Sequence, residues 1–395
     1  MKKLLIILCT SALFLSLGSS KMPETSAKKT MNIVFRGFMG LIPYMSDPMK
    51  FKDPANKVKI HTHLSTMRNA FSNARHVKKF SLPGINPSFE QVKQHLKETF
   101  DAFELGQPDF ARVRLRATGQ LCMTCHTQLE PNRGAVGQLN LISRSDFTTD
   151  YDYAEFLFLI RDYKKAQRYY EKDIEVVIEK TQEMAKMSKI SKKLKATYKG
   201  RRIEDSLEKI LTIHTKVKYN PIKVISLLDK YKDHKNISAH SKQRFSSWVS
   251  SLNKWKGIKE IQINRENQLD KFLSKYVSKY ETEVAMQGGS HEVTLLIASG
   301  VLYKHLLKNP KGETGAKLLY WISKIDHILS NTYLYSLSEL YLKRCITEYS
   351  KSSWAKKCYR SYEDQINIGY TGSSGKFIPE DELKEMKRLK SFLRD

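Results

Sequence analysis

From Val58 to Asp395 apolar residues recur at three- and four-residue spacings, and no stretch keeps the strict alternation of a half-buried strand. A chain patterned this way buries its stripes by packing helix on helix, so the sequence predicts an all-α protein. Three helical blocks come first. Ile60, Leu64, Met67 and Phe71 make one stripe; Ser88 and Gln91 offer a capping box for a second helix carrying Phe89, Val92, Leu96, Phe100 and Phe103; a third starts near Pro108 with Phe110, Val113, Ala117 and Leu121. Residues 58–148 are thus expected to form a small helical bundle. A polar connection from Thr127 to about Thr149, with Pro131, Gly134 and Gly137, marks a domain boundary. Residues 149–395 read as a second helical region, with loops at Asn220-Pro221, Gly288-Gly289 and Asn309-Pro310.

The N-terminus differs in kind. Met1-Lys2-Lys3 is followed by an apolar run from Leu4 to Leu17 and then by Gly18-Ser19-Ser20. This is the pattern of a secretory signal peptide over residues 1–20, and the run is shorter than the roughly 20 residues of a membrane span. Cleavage near Gly18 or Ser20 would release an exported or periplasmic protein; an uncleaved leader would anchor it. Residues 21–57, rich in Lys, Ser and Pro, read as a lead-in with no helix, Ile33 to Phe38 being a strand or a docking segment. Export also orders the five cysteines. Cys9 lies in the leader, Cys122 and Cys125 stand together, and Cys345 and Cys358 remain. That last pair flanks an expected turn at Glu348 to Ser352 and can form a disulfide across a helical hairpin, or be two small core residues.

Leu121 to Thr127 reads L-C-M-T-C-H-T. Two thiols three positions apart on a helix can each add to one vinyl group of a porphyrin, and the following imidazole then lies where it can ligate the iron. A zinc site would need further ligands at similar spacing, a thioredoxin-like redox pair would need a parallel sheet, and a disulfide across two residues is strained. The segment resembles the haem-attachment motif of c-type cytochromes. The resemblance implies one covalent haem c held by Cys122 and Cys125, with His126 as proximal ligand. No Met beside Pro follows the motif; the next methionines, Met184 and Met187, sit in a lysine run. A helical block precedes it instead, so residues 50–130 resemble the cytochrome c-prime type of bundle, whose motif lies on the last helix. That likeness implies a sixth iron ligand from the first helix, where Met67, His63 and His61 stand, or an open position.

The second region carries a recurring pair, a small residue four positions before an aromatic: Ala166 with Tyr170, Ala316 with Tyr320, Ala355 with Tyr359. The segment YAEFLFLIRDYKKAQRYYEK, Tyr153 to Lys172, resembles a tetratricopeptide repeat, Ala154 and Ala166 being twelve residues apart. This implies an irregular α-solenoid of helical hairpins, a surface type that docks partners.

The formal charge is +27, and Met184 to Ile203 holds eight basic residues and no acidic one. A solvated face accounts for such a run; as a binding face it would attract an acidic redox partner or an anionic membrane surface. Nucleic acid fits poorly, because only Tyr198 interleaves the lysines and an exported protein rarely meets it. The combined expectation is a periplasmic monohaem cytochrome that transfers single electrons and docks a partner on its repeats. The alternatives are a haem-based sensor or enzyme with an open distal site, and a helical scaffold with a structural haem.

Overall fold

The computed structural model describes residues 26–45, 47–74, 76–127, 143–186, 203–235, 237–281, 291–329, 336–373 and 375–393. The leader, most of the polar connection from Thr127 to about Thr149 and nearly all of the basic run lie outside these. The described chain is all-α, with sixteen α-helices and one pair of two-residue strands, Thr371–Gly372 and Gly375–Lys376. No described helix is long and apolar enough to cross a membrane.

Five helices build the first region: α1 (Ala27–Met45), α2 (Pro48–Lys52), α3 (Lys57–Ser72), α4 (Asn86–Glu104) and α5 (Pro108–His126). The expected lead-in is therefore corrected, since its residues 27–45 and 48–52 are helical. Thr30, Val34, Phe38 and Leu41 supply α1 with a buried stripe at spacings of four, four and three, which its glycines and Pro43 obscure in the sequence. Those glycines have a use: a Cβ on Gly37 would lie 2.6 Å from Cγ of Met67, so α1 and α3 can approach only where that side chain is missing. The predicted stripe of α3 is buried as expected, Ile60, Leu64, Met67 and Phe71 all facing inward. Helix α4 starts two residues before the expected cap, leaving Ser88 buried in its first turn.

The stripe read for α5 is wrong in its first half. Phe110 and Val113 are 54% and 58% exposed, whereas Ala111, Leu115, Thr118 and Gly119 are buried. Helix α5 packs on α4, where Nε2 of His95 donates to the Arg114 carbonyl at 2.7 Å. Phe110 stays outside with the Arg114 guanidinium 5.6 Å from its ring.

In the second region α6 (Asp150–Leu159) and α7 (Tyr163–Lys186) form a hairpin in which Ala154, Ala166 and Tyr170 are fully buried. Every residue of α8 (Ile203–Thr212) but Asp205 is buried, and it runs into a π-helical turn, Ile213–Val217. Then come α9 (Ile222–Tyr231), α10 (Ala239–Lys254), α11 (Glu266–Tyr276), α12 (Glu292–Leu306), α13 (Gly312–Ile328), α14 (Ser338–Glu348), α15 (Ser353–Gly369) and α16 (Glu380–Ser391). Helices α12 to α15 each pack on the next, with Ala316 and Ala355 fully buried in that stack. Cys345 of α14 and Cys358 of α15 are joined by a disulfide with Cα atoms 6.2 Å apart. Closing a loop of 13 residues restricts the unfolded chain by about 3 kcal/mol in the chain-entropy account.

The two regions share one hydrophobic core. A Cβ on Gly84 would be 3.2 Å from Leu307, and the Arg344 guanidinium donates to the Ser81 carbonyl at 2.9 Å. The segment before α4 is thereby held against α12 and α14.

Candidate functional site

Helix α5 ends on the CxxCH segment, and the Thr127 N–H closes its last turn on the Met123 carbonyl at 2.9 Å. Cys122 and Cys125 are half-buried free thiols one turn apart. Burial pushes Cys122 up to about 12, with Cys125 adding to the rise, and pushes Cys125 up to about 11. Both are neutral nucleophile precursors at ordinary pH. The Ser88 hydroxyl of α4, Lys79 and Arg161 are the groups acting on Cys125, and Tyr303 of α12 also feels its charge.

His126 is fixed from the second region. Its Nδ1 lies 2.6 Å from the Leu159 carbonyl oxygen at the end of α6. A carbonyl can only accept, so Nδ1 carries the proton and Nε2 keeps its lone pair in the neutral ring. Burial, reinforced by the Arg161 charge, lowers the imidazole to about 4, while the bond to Leu159 works the other way. A neutral imidazole with its Nδ1–H tied to a backbone carbonyl is the arrangement in which Nε2 can ligate a metal.

The Leu159 carbonyl is presented by a tight turn between α6 and α7. Arg161 stands there in the left-handed region, φ 65°, with its N–H on the Phe158 carbonyl and that of Asp162 on Leu157, both at 2.9 Å. A non-glycine residue in this conformation costs about 1 kcal/mol, and the turn carries a cation beside Cys125 and His126.

A cavity of about 520 Å³ opens next to the motif, between α1, α5 and α6. Phe38, Ile42, Phe147, Tyr151, Phe156 and Leu159 give it an apolar wall, and Arg116 and Gln120 a polar edge. The volume is that of a small-molecule site. Cys122 and Cys125 do not line it, since they lie round the helix from Met123, which does. Gly119 joins the two: it lines the cavity and shares a helical stripe with Cys122 and His126. No side chain there fills the space toward the Phe38 ring, 3.8 Å from where its Cβ would be.

The candidate sixth ligands sit elsewhere. Met67 is wholly buried against Gly37, the His63 ring lies against Gly40, and His61 is at the surface with Nε2 3.5 Å from Glu104. None of the three lines the cavity. Among the described residues no group of three or more His, Cys, Asp or Glu side chains gathers to hold a metal ion, which leaves the zinc alternative without ligands there. Leu159, Arg161, Ser88 and Tyr303 escaped the sequence reading because all four reach the motif through tertiary contacts, with no local spacing to announce them. Comparison with described protein families, with curated proteins and with solved structures finds no match to this chain.

Proposed function

We propose that the protein is an exported c-type cytochrome with one covalent haem, which carries single electrons to or from an acidic partner docked on its helical second region. The observation that carries this reading is the 2.6 Å contact from Nδ1 of His126 to the Leu159 carbonyl, which leaves Nε2 as the metal-facing nitrogen of a neutral imidazole beside two free thiols. The donor set fits the group. Cys122 and Cys125 would each form a thioether through Sγ, His126 would ligate through Nε2, and Leu159 would hold the ring in orientation. When bound, haem supplies one-electron chemistry whose potential follows from ligation, burial and nearby hydrogen bonds. Arg161 and Lys79 place positive charge near the attachment point, a field that favours the electron-rich state of any group seated there. The formal charge of +27 steers an acidic partner toward the molecule.

A second reading, a sensor or enzyme open to a small ligand, is favoured by the packing of Met67 and His63 against α1 and away from the cavity. One spectrum separates the two. As an electron carrier, the reduced holoprotein shows a low-spin visible spectrum that carbon monoxide leaves unchanged. A high-spin spectrum that shifts with carbon monoxide would replace the carrier by the sensor, and protein without covalent haem would remove both.

A further inference from the structure

A line of aromatic rings leads from the neighbourhood of the motif to the surface. Phe156 and Phe147 line the cavity beside α5 together with Leu159, the residue whose carbonyl holds His126 at 2.6 Å. The two rings stack with centroids 5.3 Å apart; Phe147 lies 5.2 Å from Tyr153, and Tyr153 meets Tyr169 of α7 edge to face at 4.6 Å. Phe156 is buried, whereas Phe147, Tyr153 and Tyr169 are half-buried, so the line starts in the interior and ends on α7. Where it emerges the surface is basic. Lys164, Lys165, Arg168 and Lys172 are all exposed, and at 3.6 residues per turn they share one side of α7 with Tyr169 at its margin. The Lys172 ammonium stands 4.8 Å from the centre of the Tyr169 ring. Two acids lie among these cations, Asp162, 3.7 Å from Lys165, and Glu171, which accepts from Gln167 at 2.7 Å. Glu175, one turn further on, is paired with Lys230 of α9 at 3.0 Å. The face therefore keeps a net positive charge.

We propose that this face of α7 is where an acidic one-electron partner protein docks, with Tyr169 at the point of contact and Tyr153, Phe147 and Phe156 joining it to the CxxCH site. The proposal rests on the haem reading above and gives its partner a place. One electron passes from the reduced haem to the partner; the haem is oxidised and the partner reduced by one, and no bond is made or broken. Electron-transfer encounters bury little surface and are steered by charge, which suits a face supplied by a few turns of one helix. The lysine and arginine heads orient the acidic partner, and the tyrosine ring at their margin offers it a rigid, largely apolar contact. Behind that ring the side chains are packed at aromatic contact distance, and an electron crosses packed side chains more readily than an open gap.

The test is stopped-flow oxidation of the reduced holoprotein by ferricyanide, a trianion that carries the partner's sign of charge. The wild-type rate falls as salt rises, because the steering charge is screened. Lys164→Glu combined with Arg168→Glu and Lys172→Glu slows it about tenfold at low salt, and speeds oxidation by the trication tris(phenanthroline)cobalt(III). Lys384→Glu, Lys387→Glu and Lys390→Glu make the same change of net charge on α16, which packs on α14 and α15, and leave both rates nearly unchanged. Tyr153→Leu with Tyr169→Leu slows the ferricyanide reaction without altering its salt dependence. Hexacyanochromate(III), a paramagnetic trianion that takes no electron here, reads the face by itself: in amide NMR spectra it broadens residues 164–172 before others, and the triple α7 variant loses that broadening. Equal slowing by the α7 and α16 variants, broadening that spares α7, or a rate untouched by the two tyrosine changes overturns the proposal. Absence of covalent haem overturns the haem reading and the electron exit together; haem-stained protein whose oxidation ignores the charge on α7 overturns the docking face alone.

Discussion

Cys122→Ala combined with Cys125→Ala abolishes covalently attached haem, and each single substitution leaves a weakened attachment through the remaining thiol. The two Sγ atoms are the free thiols of the described chain, they sit one helical turn apart, and in the proposed haem site each would supply one thioether bond. His126→Ala acts differently. It removes the imidazole held by Leu159, the proposed iron ligand, so less haem is expected to be retained, with a changed spin state in what remains. Denaturing electrophoresis followed by haem staining measures the first effect, since only a covalent group survives the detergent. A stained band from the double variant would end the assignment.

Arg244→Met should cost the fold about 3–5 kcal/mol, the usual penalty for removing one partner of a buried ion pair. The Arg244 guanidinium is 6% exposed; it lies 2.6 Å from Glu208 of α8 and 3.3 Å from Glu292 at the start of α12, and stacks 4.6 Å from the Trp248 ring. The indole of Trp248 donates to the other Glu292 oxygen at 2.5 Å. Methionine keeps the packing on the indole and deletes the charge, leaving two buried carboxylates without this cation. Urea denaturation at neutral pH gives the loss directly, and a change below about 1 kcal/mol would show that the carboxylates find compensation elsewhere. Adding Glu208→Gln and Glu292→Gln to Arg244→Met recovers much of the loss, because taking away both signs together removes the uncompensated charge.

The fold class and the motif were legible in the sequence for the same reason: both are local. The stripe of α3 needs only its own spacing to be read, and CxxCH needs five consecutive residues. The turn between α14 and α15 was legible too, because Lys351-Ser352-Ser353 interrupts two stripes, and Cys345 and Cys358 lie at matching distances from it. Helix α1 was hidden by Gly37, Gly40 and Pro43, residues of low helical propensity whose place is justified only once α3 lies against them. The face of α5 was misjudged because large apolar residues were taken for the buried ones. The buried positions there include Ala111, Thr118 and Gly119, small or polar residues that a search for large apolar ones passes over. The site beyond the motif could not be read at all. Leu159, 33 residues from His126, contributes a backbone carbonyl, a group every residue has. Tyr303 lies farther still along the chain and looks in sequence like any core aromatic.

The core shared by the two regions makes their thermodynamics inseparable. Ser81 and Gly84 rest on Arg344, Leu306 and Leu307, and His126 is bonded to the end of α6, so neither part can open without stripping contacts from the other. The four tryptophans, Trp248, Trp255, Trp321 and Trp354, all stand in the second region, so a change in their fluorescence on substitution at the CxxCH end reports damage carried across this shared core.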